Sequence, residues 1–178
     1  NPTKAAAAAY AGITGVPAEV IESVAPIRMH RRELLTDTGG AGKFRGGLGQ
    51  EMVLEVLTGK PAIHSCMYDR TRFAANGYHG GMAGTLGDVI RSDGYHPHPK
   101  SRYVIQPGQT GTLRLPGGGG FYSPLERDPA SVLEDVKQGY VSIASAKEKY
   151  GVVIDAAKMS LDEDATRKER LKANPVVE

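Results

Sequence analysis

The sequence has no tryptophan, three phenylalanines and one cysteine, Cys66, among its 178 residues. A lone cysteine excludes an internal disulfide, so a reducing compartment is expected and the cytoplasm is the predicted location. Long apolar runs are missing as well, and none reaches the length of a membrane span. The alanines at 5–9 lack a charged lead and a long apolar core, so they do not read as a secretion signal. Charge of one sign is also absent: 22 basic residues face 20 acidic ones, a formal net of +2. That balance, with no basic stretch interleaved with aromatics, argues against a nucleic-acid partner. No HExxH, GxSxG or paired CxxC occurs, and no Lys-Ser/Thr follows a glycine run as in a P-loop. The chain opens on Asn1 rather than Met, as expected of a processed chain or a piece of a longer one.

Glycine is what the sequence has in excess, with 23. Most fall in three stretches: Thr38–Gly49 (TGGAGKFRGGLG), Gly77–Gly87, and the Gly117–Gly120 run inside PGGGGFYSP. Such density excludes regular helix or sheet there and predicts turns and close backbone approach. Between them the pattern is β. In Gln50–Leu57, Met52, Leu54 and Val56 alternate with Glu51, Val53 and Glu55. Further short strands are expected at Ala62–Tyr68, Asp88–Arg91, Tyr103–Ile105 and Gly111–Leu115. Ala18–Leu35, broken at Pro26, reads as extended, with Arg28, Arg31 and Arg32 on an edge or interface strand.

After the last glycine run the pattern turns helical. Asp128-Pro129 is an N-cap followed by a proline at the first helical position, and Val132, Leu133, Val136 and Tyr140 share a face. Ser142 is placed to cap a second helix that runs to Tyr150 and closes at Gly151. Val152–Ile154 reads as a short strand. Leu161–Ala173 is a charged helix, acidic first and basic last, as the helix dipole favours. The fold class is therefore α+β: a mainly β body with a C-terminal helical appendix. Residues 1–15 are expected to be a flexible lead-in, 16–156 the domain and 157–178 a charged helical tail with a disordered end.

Four groups of residues could carry chemistry. The amides of Gly117, Gly118, Gly119 and Gly120 could form an anion nest, or these glycines could serve only close packing at a contact. Arg70 and Arg72, at alternate positions after a strand, could grip a carboxylate or phosphate, or pair with neighbours such as Asp69. His96-Pro97-His98 puts two imidazoles on one side but lacks a third ligand, so a plain loop is expected. Cys66 lies two residues from His64, yet a small buried cysteine and a hydrogen-bonded strand histidine are the simpler readings.

The order of motifs adds a further indication. Val16–Glu22, Arg31–Leu34 and the TGGAGKFRGGLG stretch come first. Asp69–Phe73 and Gly80-Gly81 follow, then Leu115–Gly120, Ser123–Pro129, Val132–Val136 and Tyr150–Ile154. This series resembles the C-terminal third of the B-type chains of the hydantoinase B/oxoprolinase family, over about residues 16–156. The resemblance implies part of an ATP-dependent cyclic-amide hydrolase. The alternatives are a small subunit of an ATP-dependent ketone carboxylase and a purely structural subunit. It implies two partners: a hydantoinase A-like chain that binds ATP, and the N-terminal portion or larger chain of the B-type component. ATP and a divalent metal are expected in those partners. No cofactor, metal ligand or catalytic residue is assigned to this chain. Arg70, Arg72 and Gly117–Gly120 are its candidate substrate-binding or interface residues. Two positions depart from the family's usual pattern. Tyr78-His79-Gly80-Gly81-Met82-Ala83-Gly84 stands where Phe-Gly-Gly-Lys-Pro-Gly is common in the second glycine loop, and Tyr122-Ser123 stands where Gly-Asp is common.

Overall fold

The computed structural model describes residues 16–173, so the expectations for 1–15 and for the last five residues lie outside it. The chain is α+β, and all its strand ladders are antiparallel. The first element corrects the extended reading of Ala18–Leu35. Ala18–Val24 is a helix (α1), and only Ile27–Leu34 is a strand (β1), with the break at Pro26. Val20, Ile21 and Val24 suggest a strand by propensity, but Pro17 starts a local turn and Glu19 favours the positive helix end. The turn is then fixed from outside: the Glu22 carboxylate accepts the Met29 amide at 2.7 Å. That bond also caps an N–H on the free edge of β1.

The remaining strands are β2 (Gln50–Val56), β3 (Ala62–Ser65), β4 (Asp88–Arg91), β5 (Arg102–Ile105) and β6 (Thr110–Arg114). One sheet runs β1-β2-β6-β4, which leaves β1 at an edge. The ribbon β3-β5 forms a second sheet. Alternation decides what faces inward. Tyr103 and Ile105 of β5, Leu113 of β6 and Val89 of β4 are buried together with Cys66, and Met52, Leu54 and Val56 of β2 close over them. Val104 and Ile63, the outward pair of the ribbon, stay exposed.

Glu51 is the exception on the opposite face of β2. It is 4% exposed and accepts Arg114 at 2.7 Å and Arg31 at 2.8 Å. The hydrogen bond from Arg114, and that from Arg31, hold its carboxyl below the usual glutamate range against the opposing effect of burial. A depressed folded-state pKa stabilises the fold above the ordinary glutamate value near 4.5 and is lost as pH falls through the folded value. Glu51→Gln should therefore cost most near neutrality. Urea titrations of both proteins between pH 7 and pH 3 should converge on the acid side. A gap that stays constant down to pH 3 would remove this ion-pair account.

The helical part follows a 3₁₀ turn at Pro124–Glu126. It contains α2 (Pro129–Lys137), α3 (Ile143–Tyr150), the two-residue strands β7 (Ile154–Asp155) and β8 (Ser160–Leu161), and α4 (Glu163–Ala173). Asp128 caps α2 by accepting the Ser131 amide, and Ser142 caps α3 by accepting that of Ser145. Gly151, at φ +62°, ends α3 in the left-handed conformation. Val132, Val136, Val141, Ala146, Tyr150, Val152 and Ile154 make a second core, which Ala41 of the first glycine stretch enters. Helix α4 docks on it through polar groups. Thr166 accepts the Val153 amide at 3.0 Å, and Arg170 donates to the carbonyls of Tyr150 and Arg127.

Candidate functional site

The three glycine stretches lie side by side between the two cores and hydrogen-bond to one another outside any regular strand. Gly40 donates to the Gly118 carbonyl at 2.8 Å, Gly118 to Gly47 at 2.9 Å, and Gly120 to Met82 at 2.9 Å. Met82 donates in turn to Ala41 at 2.7 Å, and Tyr78 to Gly120 at 2.9 Å. Backbones approach too closely for side chains. A Cβ on Gly117 would sit 1.8 Å from the Thr38 carbonyl oxygen, and one on Gly119 would sit 2.0 Å from that of Asn76. On Gly46 it would sit 2.1 Å from the Gly118 oxygen. These bonds bear on the anion nest considered for Gly117–Gly120, because three of its four amides have partners among the described residues. The amides of Gly118 and Gly120 are consumed by carbonyls, and that of Gly117 reaches Thr85 Oγ1 at 3.4 Å. The close backbone approaches fit the packing role considered for these glycines.

The first stretch is locked to α2 by a buried charge network. The Arg45 side chain is 1% exposed and straddles Asp135, with Nε 3.1 Å from Oδ2 and Nη2 3.3 Å from Oδ1. Arg127 reaches the same Oδ2 at 2.9 Å and donates to the Lys43 carbonyl. The Tyr140 ring lies 5.3 Å beneath the Arg45 guanidinium. Sequence reasoning missed this network, although a signal was present: Asp135 falls on the same helical face as Val132 and Val136.

The two departures from the family pattern meet in space. The rings of His79 and Tyr122 stack at 5.4 Å, and both residues hold a positive φ, +49° and +59°. A side chain in that conformation is strained, and glycine would adopt it freely. Tyr78 and Phe121 stack beside them at 5.9 Å.

Arg70 and Arg72 come together at a pocket of about 310 Å³, formed by residues 68–73 and 98–100. Both are exposed, and neither guanidinium makes an ion pair among the described residues. Asp69, the neighbour considered as their partner, binds Lys100 instead, at 2.7 Å. That hydrogen bond and the charge of Lys100 lower the Asp69 pKa. Arg70 is held at φ +56°, and its carbonyl accepts the Gly87 amide at 3.0 Å, which ties the pocket to the second glycine stretch. A second pocket shares Asp69 and Lys100 and adds Arg102. Lys100 and Arg102 had no place in the sequence reading, because they come from a loop and strand about 30 residues away.

The histidines and the cysteine are used in the structure. His64 Nδ1 lies 2.8 Å from the Tyr103 hydroxyl, and burial lowers its pKa. Burial also raises the Cys66 thiol, which is 2% exposed. His96 pairs with Asp88 at 3.1 Å, while His98 Nδ1 accepts the Lys100 amide. Among the described residues no three His, Cys, Asp or Glu side chains gather as metal ligands. No described helix is long and apolar enough to cross a membrane.

Residues 3–124 match the family model described as hydantoinase B/oxoprolinase. The chain is 40% identical over 159 residues to the beta subunit of the caprolactamase of Pseudomonas jessenii, covering 85% of this chain and 27% of that protein. It is 34% identical over 151 residues to the B-type subunit of a putative D-/L-hydantoinase from a Pseudomonas species, covering 82% of this chain and 25% of that one. The crystal structure of the ATP-dependent caprolactamase from Pseudomonas jessenii superposes with a TM-score of 0.72 at 37% identity, over 88% of this chain and 28% of that one. The chain thus spans about a quarter of the length of these two relatives. On these matches, and on the interlocked glycine stretches that carry its motifs, the chain belongs to the hydantoinase B/oxoprolinase family.

Proposed function

We propose that this chain is part of the B-type component of an ATP-dependent cyclic-amide hydrolase. The observation that supports this most is its likeness, along most of its length, to the beta subunit of caprolactamase. An amide carbonyl is a poor electrophile, and phosphorylation of its oxygen supplies a leaving group, so water can then open the ring. A hydantoinase A-like chain would bind ATP and make that intermediate, with the divalent metal also held by partner chains. The described residues gather no metal-ligand set. Its own contribution is position and charge. The glycine bundle supplies a rigid wall, and Arg70 and Arg72 face an anionic intermediate across the contact with the rest of the B-type component.

The test is turnover of a lactam or hydantoin by the assembled complex, with ATP present or withheld. Ring opening that requires both ATP and this chain is expected. Arg70→Ala or Arg72→Ala should lower kcat/KM by about tenfold, the worth of one charge-assisted hydrogen bond. Wild-type turnover by both variants would leave the chain a structural subunit. Consumption of bicarbonate with a ketone would make the complex a carboxylase instead.

A further inference from the structure

The geometry points to a phosphoryl-binding site on this chain, formed by Arg70, Arg72 and Lys100 and restrained by Asp69. It deepens the hydrolase reading and rests on it for its role, but its chemistry stands on the pocket alone. Two guanidiniums without an ion pair among the described residues line one cavity. Arginines are usually neutralised where a neighbouring carboxylate is available. Here Asp69 is adjacent in sequence to Arg70 and nevertheless turns to Lys100. Lys100 and Arg102 extend the positive surface into the adjoining pocket, so the two pockets together are lined by four cationic side chains and one carboxylate.

That excess suits a dianion better than a carboxylate. A carboxylate carries one charge and two oxygens, which a single guanidinium can satisfy. A terminal phosphoryl group presents three oxygens and close to two charges, enough for two planar forks and an ammonium. The cavity, about 310 Å³, lies at the low end of ligand pockets, which favours a small phosphorylated molecule over a nucleotide. The Asp69–Lys100 pair then acts as a restraint. Asp69 is 81% exposed on its side chain and competes with the ligand for the ammonium.

Titration of the chain alone with inorganic phosphate, followed by arginine side-chain NMR and calorimetry, should show saturable binding that weakens with salt. Arg70→Ala and Arg72→Ala should each weaken it about tenfold. Asp69→Asn should tighten it several-fold, because it frees Lys100 and removes a negative charge. These substitutions leave the Gly87–Arg70 backbone bond intact, and circular dichroism would verify folding. Phenyl phosphate should compete better than either benzoate or ADP. Equal binding of benzoate, stronger binding of ADP, or an Asp69→Asn protein that binds no better than wild type would each overturn the site. Because binding is read on this chain without its partners, a failed turnover assay would leave this result standing, and the reverse also holds.

Discussion

Gly117→Ala is expected to destabilise the domain by about 4 kcal/mol or more, the exceptional end of single substitutions. The added methyl would lie 1.8 Å from the Thr38 carbonyl oxygen, and the atom it meets is backbone. A side chain could rotate away, whereas this carbonyl is fixed by the Thr85 amide, which donates to it at 3.0 Å. Relief therefore requires the first and third stretches to separate, which breaks the Gly40–Gly118 and Gly118–Gly47 bonds. Gly119→Ala and Gly120→Ala, with contacts of 2.0 and 2.1 Å to the Asn76 and Ala41 oxygens, should behave alike. Gly118→Ala is the internal control. Its nearest atom is the Gly47 nitrogen at 3.2 Å, so the cost should fall to about 1–3 kcal/mol, the range for modest overpacking. Gly94→Ala is a second control, with nothing within 4 Å and only its φ of +82° to penalise it. Urea unfolding of the five variants would rank them. If Gly117→Ala unfolds at the same midpoint as Gly118→Ala, the close-approach account fails.

That ranking also shows how far the sequence could be read. The strands β2, β4, β5 and β6 were legible because one face is buried and the other wet, which leaves a period of two in the residues themselves. The caps at Asp128 and Ser142 were legible because a cap is a local hydrogen bond. The glycine stretches announced close packing but not its partners. Gly117 meets Thr38 across nearly 80 positions, and no local pattern encodes that pairing. The α1 helix was misread for the opposite reason. Its β-branched residues carry a real local preference, and a hydrogen bond from Met29 to Glu22 outweighs it. At the candidate site, Arg70 and Arg72 were visible as a pair. Lys100, Arg102 and the diversion of Asp69 to Lys100 required the fold.

The buried network at Asp135 gives the second large effect. Asp135→Ala is expected to cost about 3–5 kcal/mol, because it leaves Arg45 charged and almost sealed from water with no counterion. Arg127 would lose the same carboxylate, and its Nε already lies buried without a hydrogen-bond partner among the described residues. The cost belongs to the orphaned charge more than to the value of the pair. Arg45→Met combined with Asp135→Leu should consequently be more stable than Asp135→Leu alone. The first change removes the very charge the second abandons. Additive costs in a double-mutant cycle would show that the two side chains act independently, and the network would lose its role. A strongly non-additive cycle has a further consequence. Asp135 sits on α2 and Arg45 on the glycine stretch, so their coupling holds the helical part to the bundle. The same carboxylate fixes Arg127, whose carbonyl in turn receives Arg170 of α4. Loss of Asp135 should therefore raise amide exchange in α4 as well as in α2, although α4 makes no hydrogen bond to the substituted side chain among the described residues.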